Sequence, residues 1–258
     1  MRQQILNALV VLFFACTGAS AQLTAPNDNG VAIGHIHLLS KDPDAQKKIW
    51  MEAFGAQPAK TGRLDLLKLP GVFIIIDKAE AVGSSTGSNA DHIGFSVKSL
   101  DTIKAKLAAL NIPVEGPFVS MPDGLRLELL EDKAQTLPIV MHHIHLTAIN
   151  VEVLRRWYVK TFGAESGTRR NLPAAMFNGN EVDFLLATGP APAPTKGRAI
   201  DHIGFEVMNL EAFVKNLVAD GVRVESPYRE MPNLDLKVAF IVDPVGTRIE
   251  LTEGLRGK

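Results

Sequence analysis

The chain has 258 residues, 27 lysines plus arginines against 28 aspartates plus glutamates, a formal net charge of −1 and 46% hydrophobic residues. That is the composition of a globular protein with ample apolar material for a core. Near-balanced charge without a basic run beyond the first two residues removes any source of attraction to nucleic acid or acidic lipid, so the expected partner is a small molecule.

The N-terminus differs from the rest. Arg2 precedes an apolar stretch from Ile5 to Ala15, and Ala19-Ser20-Ala21 supplies a small-residue cleavage pattern before Gln22. Residues 1–21 therefore read as a secretory signal peptide. The stretch is short for a membrane span and no second apolar segment of about 20 residues follows. The expectation is a periplasmic or secreted protein with no membrane attachment after signal removal. Cys16, the single cysteine, lies inside this segment. Without it the mature chain can form no disulfide and must be stabilised by packing, helped by metal if one binds.

From there on the chain repeats itself. His35-Ile36-His37-Leu38 recurs as His143-Ile144-His145-Leu146, and Phe54-Gly55-Ala56 recurs at the same spacing as Phe162-Gly163-Ala164. Asp91-His92-Ile93-Gly94-Phe95 recurs as Asp201-His202-Ile203-Gly204-Phe205, and Val114-Glu115-Gly116-Pro117 as Val224-Glu225-Ser226-Pro227. A second layer lies inside each half, because His35, His92, His143 and His202 each open a strand. Four modules result, each a short strand, a helix and then alternating apolar strands. Ser99 caps a helix whose Leu100, Ile103, Leu107 and Leu110 share a face; Asn209 does the same for Leu210, Phe213, Leu217 and Val218, with Gly221 as the stop. Segments Val72 to Asp77, Leu125 to Leu130, Val182 to Ala187 and Thr247 to Thr252 read as strands. Ala79 to Ala90 and Thr188 to Ala199, rich in small residues and proline, read as linkers within each half.

All seven histidines sit at the four strand starts: His35, His37, His92, His142, His143, His145 and His202. Neutral imidazole is the commonest metal ligand, and strands beside a cleft can aim several at one point. His142, next to His143, points to the other face. A carboxylate closes each half: Phe240 to Leu251 aligns without gaps to Phe118 to Leu129, placing Glu250 and Glu128 in the same position. The first half lacks the counterpart of Tyr228 to Ala239, a loss expected to remove a strand.

Repeated βαβββ units with a strand-starting histidine and a terminal Pro-x-Gly-x-x-x-Glu resemble the vicinal oxygen chelate superfamily, which includes glyoxalase I, type I extradiol dioxygenases, methylmalonyl-CoA epimerase and bleomycin-resistance proteins. The resemblance covers nearly everything after the signal. It implies an α+β fold of four tandem modules paired into two incomplete barrels, residues 31–135 forming a first domain with a shortened second module and 139–254 a second. It implies a divalent metal held by His143, His202 and Glu250, with a second site at His35, His92 and Glu128. Two imidazoles and one carboxylate leave positions open for a bidentate substrate, a donor set that favours Fe(II) or Mn(II) over Zn or Ni.

Two departures narrow the chemistry. Glyoxalase I uses a further carboxylate from the strands corresponding to Val72 to Ile76 and Val182 to Leu186, where no acid is expected at the matching position. Extradiol enzymes carry a tyrosine where Phe240 stands and a further histidine, whereas none follows His202. His145, and likewise His37, returns to the face of its ligand histidine two residues away and is the expected acid/base group. Arg248 and Arg126 share a face with their glutamates; Arg248 reads either as a clamp for an anionic substrate group or as the partner of a nearby acid. The expected function is that of an exported metal-dependent lyase, isomerase or dioxygenase that chelates a small substrate through adjacent oxygens. The alternative is a metal-free small-molecule binder of bleomycin-resistance type. A homodimer is compatible with either.

Overall fold

The computed structural model describes residues 23–258; the leader-like residues 1–21, with Cys16, lie outside them. The first module comprises β1 (Val31–Ser40), α1 (Pro43–Phe54), β2 (Gln57–Thr61), β3 (Leu64–Leu69) and β4 (Val72–Lys78). The second comprises β5 (Ala90–Val97), α2 (Leu100–Ala109), β6 (Val114–Glu115), β7 (Phe118–Ser120) and β8 (Arg126–Glu131). The third has β9 (Ile139–Ala148), α3 (Val151–Phe162), β10 (Glu165–Arg169), β11 (Leu172–Phe177) and β12 (Asn180–Leu186). The fourth has β13 (Ile200–Val207), α4 (Leu210–Ala219), β14 (Val224–Met231), β15 (Leu236–Val242) and β16 (Arg248–Glu253).

Each module starts its helix with the same device. The side chains of Asp42, Ser99, Asn150 and Asn209 accept the backbone N–H of Ala45, Thr102, Val153 and Ala212, satisfying a donor that the first turn leaves free. In the Phe-Gly-Ala repeats the glycine ends the helix: Gly55 and Gly163 adopt left-handed φ of 73° and 66°. The expected α+β modules and their capped helices are all present. The loss of Tyr228 to Ala239 from the second module shortens β6 and β7 and removes neither, which corrects the expected missing strand.

The pairing of modules differs from their order in the chain. One eight-stranded sheet runs β14-β15-β16-β13-β1-β4-β3-β2 and the other β10-β11-β12-β9-β5-β8-β7-β6. The first module thus pairs with the fourth and the second with the third, instead of neighbour with neighbour. Residues 31–135 contribute strands to both sheets, as do residues 139–254. The two glycine- and proline-rich linkers become the crossings between sheets, and they hydrogen-bond to each other: Asn89 N to Ala193 O at 2.8 Å, Ala193 N to Gly87 O at 3.0 Å, Val82 N to Gly197 O at 2.8 Å. Both sheets stay open, their outermost strands being β14 and β2 in one and β10 and β6 in the other.

Strand alternation gives each sheet two different faces. On β13, His202 and Gly204 face the cleft enclosed by the curving sheet while Ile203 and Phe205 face the core; on β5, His92 and Gly94 are separated in the same way from Ile93 and Phe95. The core is shared. Phe54 of α1 stacks on Phe95 of the other sheet at 6.4 Å, and Phe162 of α3 stacks on Phe205 of the opposite sheet at 4.1 Å and 14°. Helices of each sheet therefore plug the other, and neither sheet buries its apolar face alone. Phe162 is fully buried and also meets Tyr158, Phe177 and Phe213. Phe162→Ala is expected to lower the unfolding free energy by about 3–5 kcal/mol, and chemical denaturation should show one cooperative transition; two separated transitions would mean that the sheets are not mutually dependent.

Candidate metal centres

Three aligned strands build the first cleft. β1 and β13 run antiparallel with His37 opposite His202 and His35 opposite Gly204, and β16 lies parallel to β13 with Glu250 beside Gly204. His35, Gly204 and Glu250 therefore share one level. Glycine is required there: a Cβ on Gly204 would stand 2.1 Å from the His35 ring. His35 Nε2 lies 2.9 Å and His202 Nε2 3.0 Å from Glu250 Oε2. Asp201 takes the His202 Nδ1–H at 2.6 Å and so turns Nε2 toward Glu250, where a bound cation would take the Nε2 lone pair of the neutral ring. Two imidazole nitrogens and a carboxylate oxygen converging on one point are the donor set that a divalent cation completes. Burial alone would push the Glu250 carboxyl up, but hydrogen bonds to His202 and His35 outweigh it and hold it well below the usual carboxylate range. Burial likewise opposes charge on His202, yet Asp201 and Glu250 together raise its pKa, the mark of negative potential at this point.

His37 completes the group. Its donor atoms and those of His35, His202 and Glu250 lie within 4.8 Å of one another. Its Nε2 lies 3.1 Å from the exposed Asp77 carboxylate, and its Nδ1 is buried without a partner. Burial pushes the ring below its ordinary pKa. The cluster sits in a cavity of about 430 Å³ whose remaining walls include Leu64, Ile75, Leu234, Leu236, Val238 and Phe240. Leu234, Leu236 and Val238 come from the 12-residue segment that the second module lacks. That segment also bridges the open sheet, since Thr61 Oγ1 donates to Leu234 O at 2.6 Å and Arg63 N to Asn233 O at 3.2 Å.

The second cleft repeats the frame with another lining. His143 Nε2 and His92 Nε2 lie 3.1 and 3.4 Å from Glu128 Oε2, and Asp91 accepts from His92 Nδ1 at 2.7 Å. Gly94 again makes room, because a Cβ there would stand 1.9 Å from the His143 ring. His145 Nδ1 lies 3.1 Å from His92 Nε2. Two carboxylates of β12, Asp183 and Glu181, face into this cleft, and Arg169 pairs with both. The Arg169 Nη2 is also 3.3 Å from His143 Nε2. Burial, with the neighbouring Asp183 adding to it, pushes the Glu181 carboxyl up to about 7.

These distances correct the expected ligand sets. Glu250 meets His202 and His35, and Glu128 meets His92 and His143; His143, His202 and Glu250 do not form one site, nor do His35, His92 and Glu128. His145 belongs to the second cleft, and His37 holds its place in the first. Arg248 is committed: Nη1 lies 2.9 Å from Asp201 Oδ1, Nε 2.5 Å from Glu225 Oε2, and the guanidinium covers the Phe240 ring at 4.1 Å. Its role is to hold the aspartate that orients His202, which favours the acid-partner reading over the substrate clamp. The expectation of no acid on the strands corresponding to the glyoxalase carboxylate holds for Ile75 and fails for Asp183. Sequence reasoning missed Asp201, Asp91 and the two glycines, although the repeated Asp-His-x-Gly pattern carried the signal. Gly204→Ala is expected to displace the His35 ring and destabilise the protein by about 1–3 kcal/mol, with a larger loss of metal affinity than of stability; unchanged affinity would show that the ring has room to give.

Comparisons with known proteins place this geometry. Residues 140–251 match the model of the Glyoxalase/Bleomycin resistance protein/Dioxygenase superfamily. The matched segment spans the third and fourth modules, which lie in different sheets. No curated protein sequence matches the chain significantly. Among solved structures, a mutant form of glyoxalase I from Zea mays is 15% identical with a TM-score of 0.67, covering 87% of this chain and 94% of its own. A putative dioxygenase from Bacillus subtilis is 16% identical with a TM-score of 0.65, covering 91% and 86%. At such identity the likeness shows the fold alone. Residues 140–251 thus carry a segment that matches the Glyoxalase/Bleomycin resistance protein/Dioxygenase superfamily, the vicinal oxygen chelate group, and the chain as a whole shares the fold of the glyoxalase I structure.

Proposed function

We propose that the first cleft holds a divalent metal ion through His35, His202 and Glu250, and that the protein is a metal-dependent enzyme acting on a small substrate with adjacent oxygens. The observation that carries this reading is the approach of two inward-turned Nε2 atoms to one carboxylate oxygen, at 2.9 and 3.0 Å, inside a cavity large enough for a small molecule. A divalent ion bound there supplies Lewis-acid polarisation of the substrate oxygens. Three protein donors leave positions for two such oxygens on an octahedral ion, as Fe(II) or Mn(II) prefers.

The residues of the chain do the rest. Asp201, itself held by Arg248, fixes the tautomer and orientation of His202. His37, two residues from His35 on the same face, is placed to accept or return a substrate proton, and its contact with Asp77 stabilises the charged ring that results. The apolar walls favour a substrate with a hydrocarbon body and exclude water around the polar end. A proton-transfer reaction, as in an isomerase or lyase, uses every one of these groups.

Metal analysis tests the proposal. Protein loaded with Mn(II) and freed of excess ion should retain it; Asp201→Ala should weaken binding about 10- to 100-fold, and His202→Ala further. His37→Asn should keep the ion, while the Mn(II) resonance of both proteins should respond to a bidentate oxygen ligand such as a catechol. Failure to retain any metal under these conditions would favour the metal-free binder. Export is part of the same proposal, supported by the leader-like residues 1–21; N-terminal sequencing of protein secreted by a host should begin near Gln22, and an intact Met1 would refute it.

A further inference from the structure

The two clefts share a frame but differ at three corresponding positions. Thr61 ends β2 opposite Leu64, and Arg169 ends β10 opposite Leu172. Phe73 pairs with His35 and Ile75 with His37 on one side; Glu181 pairs with His143 and Asp183 with His145 on the other. The first cleft thus has a hydroxyl and two apolar side chains where the second has a guanidinium and two carboxylates. We propose that Arg169 is a built-in cation that occupies the second centre, so that the chain binds metal in the first cleft alone.

Three observations carry this. Thr61 is held by the Leu234 carbonyl of the long β14–β15 connection, whereas Arg169, across from the shortened second module, pairs its side chain with Asp183 and Glu181. Its Nη2 stands 3.3 Å from His143 Nε2, so the lone pair that a metal would need can accept a guanidinium N–H. Finally, Asp183 is fully buried, with Oδ1 unpartnered, and Glu181 and Glu128 are nearly so; a fixed positive charge among them offsets what a cation would otherwise offset. A divalent ion entering beside it would meet like charge at short range in a poorly solvated site.

The count of one metal rests on the reading of the first cleft; the exclusion by Arg169 does not. The experiment is Mn(II) stoichiometry by elemental analysis after gel filtration, with folding checked by circular dichroism. The wild type should carry one ion, His35→Ala combined with His202→Ala none, and His143→Ala one. Arg169→Thr should gain a second ion, because Asp183 is then left facing His92, His143 and Glu128. Should that variant misfold, the triple variant Arg169→Thr, Glu181→Phe, Asp183→Ile copies the lining of the first cleft and should gain the ion instead. Two ions in the wild type, one of them lost in His143→Ala, would overturn the proposal, as would folded Arg169 variants that gain none. A wild type without metal would sink the first-cleft reading, and a single ion gained by Arg169→Thr would still support the role of Arg169.

Discussion

A histidine ring lying against a glycine of the next strand is the constraint on which the rest of this structure depends. His35 occupies the space where a Gly204 side chain would be, and His143 does the same over Gly94. That contact exists only when β1 pairs with β13 and β9 with β5 in one register. A slip of β1 by one residue against β13 would send His35 to the core face and bring Ile36 into the cleft. The aromatic residues on the opposite face enforce the same register from behind, because Phe205 and Phe95 reach their partners Phe162 and Phe54 only in this alignment. Site and core are thus two faces of one strand pairing.

Around the paired histidines, charge is arranged in relays. In the first cleft Lys196 meets Glu225, Glu225 meets Arg248, Arg248 meets Asp201, and Asp201 holds His202. Each charge has a partner, so no arginine in this chain of contacts remains free to bind a substrate anion. What the relay supplies is orientation: an imidazole held by a carboxylate that is itself held presents its other nitrogen in a single direction. Arg126, Asp91 and His92 repeat the last two links in the second cleft. Phe240 and Phe118 back both arrangements, each edge-on to its histidine and beneath its arginine. Phenylalanine suits this place because it offers a face to the guanidinium and no competing hydroxyl.

Duplication supplied identical frames, and a few residues made them unequal. The segment Tyr228 to Ala239 extends β14 and β15 over the first cleft, bridges to β2 and β3, and walls the cavity with leucine and valine. Without that segment the second cleft is lined by an ion-pair network. A buried apolar wall leaves room for a ligand, whereas buried carboxylates demand a partner of their own from the protein. The first cavity thus joins a polar end, at the histidines and Glu250, to an apolar body.

Much of this was legible in the chain itself. Hydrophobic alternation, helix caps and the doubled His and Glu motifs gave the α+β class, the four modules and the ligand types, because those depend on residues close in sequence. The partnership of modules was not legible. Four similar units can pair in more than one way, and every pairing satisfies the same local pattern; what decides is which linkers can cross and which aromatic side chains interlock between sheets. Hence His35 rather than His143 meets Glu250, and His37 rather than His145 stands beside it. Arg169 and Asp183 were equally hidden, since their meeting depends on how β10, β11 and β12 pair and on which face of the sheet the two side chains take. Residue types follow from composition and spacing, while their grouping is a property of long-range packing that only the tertiary structure decides.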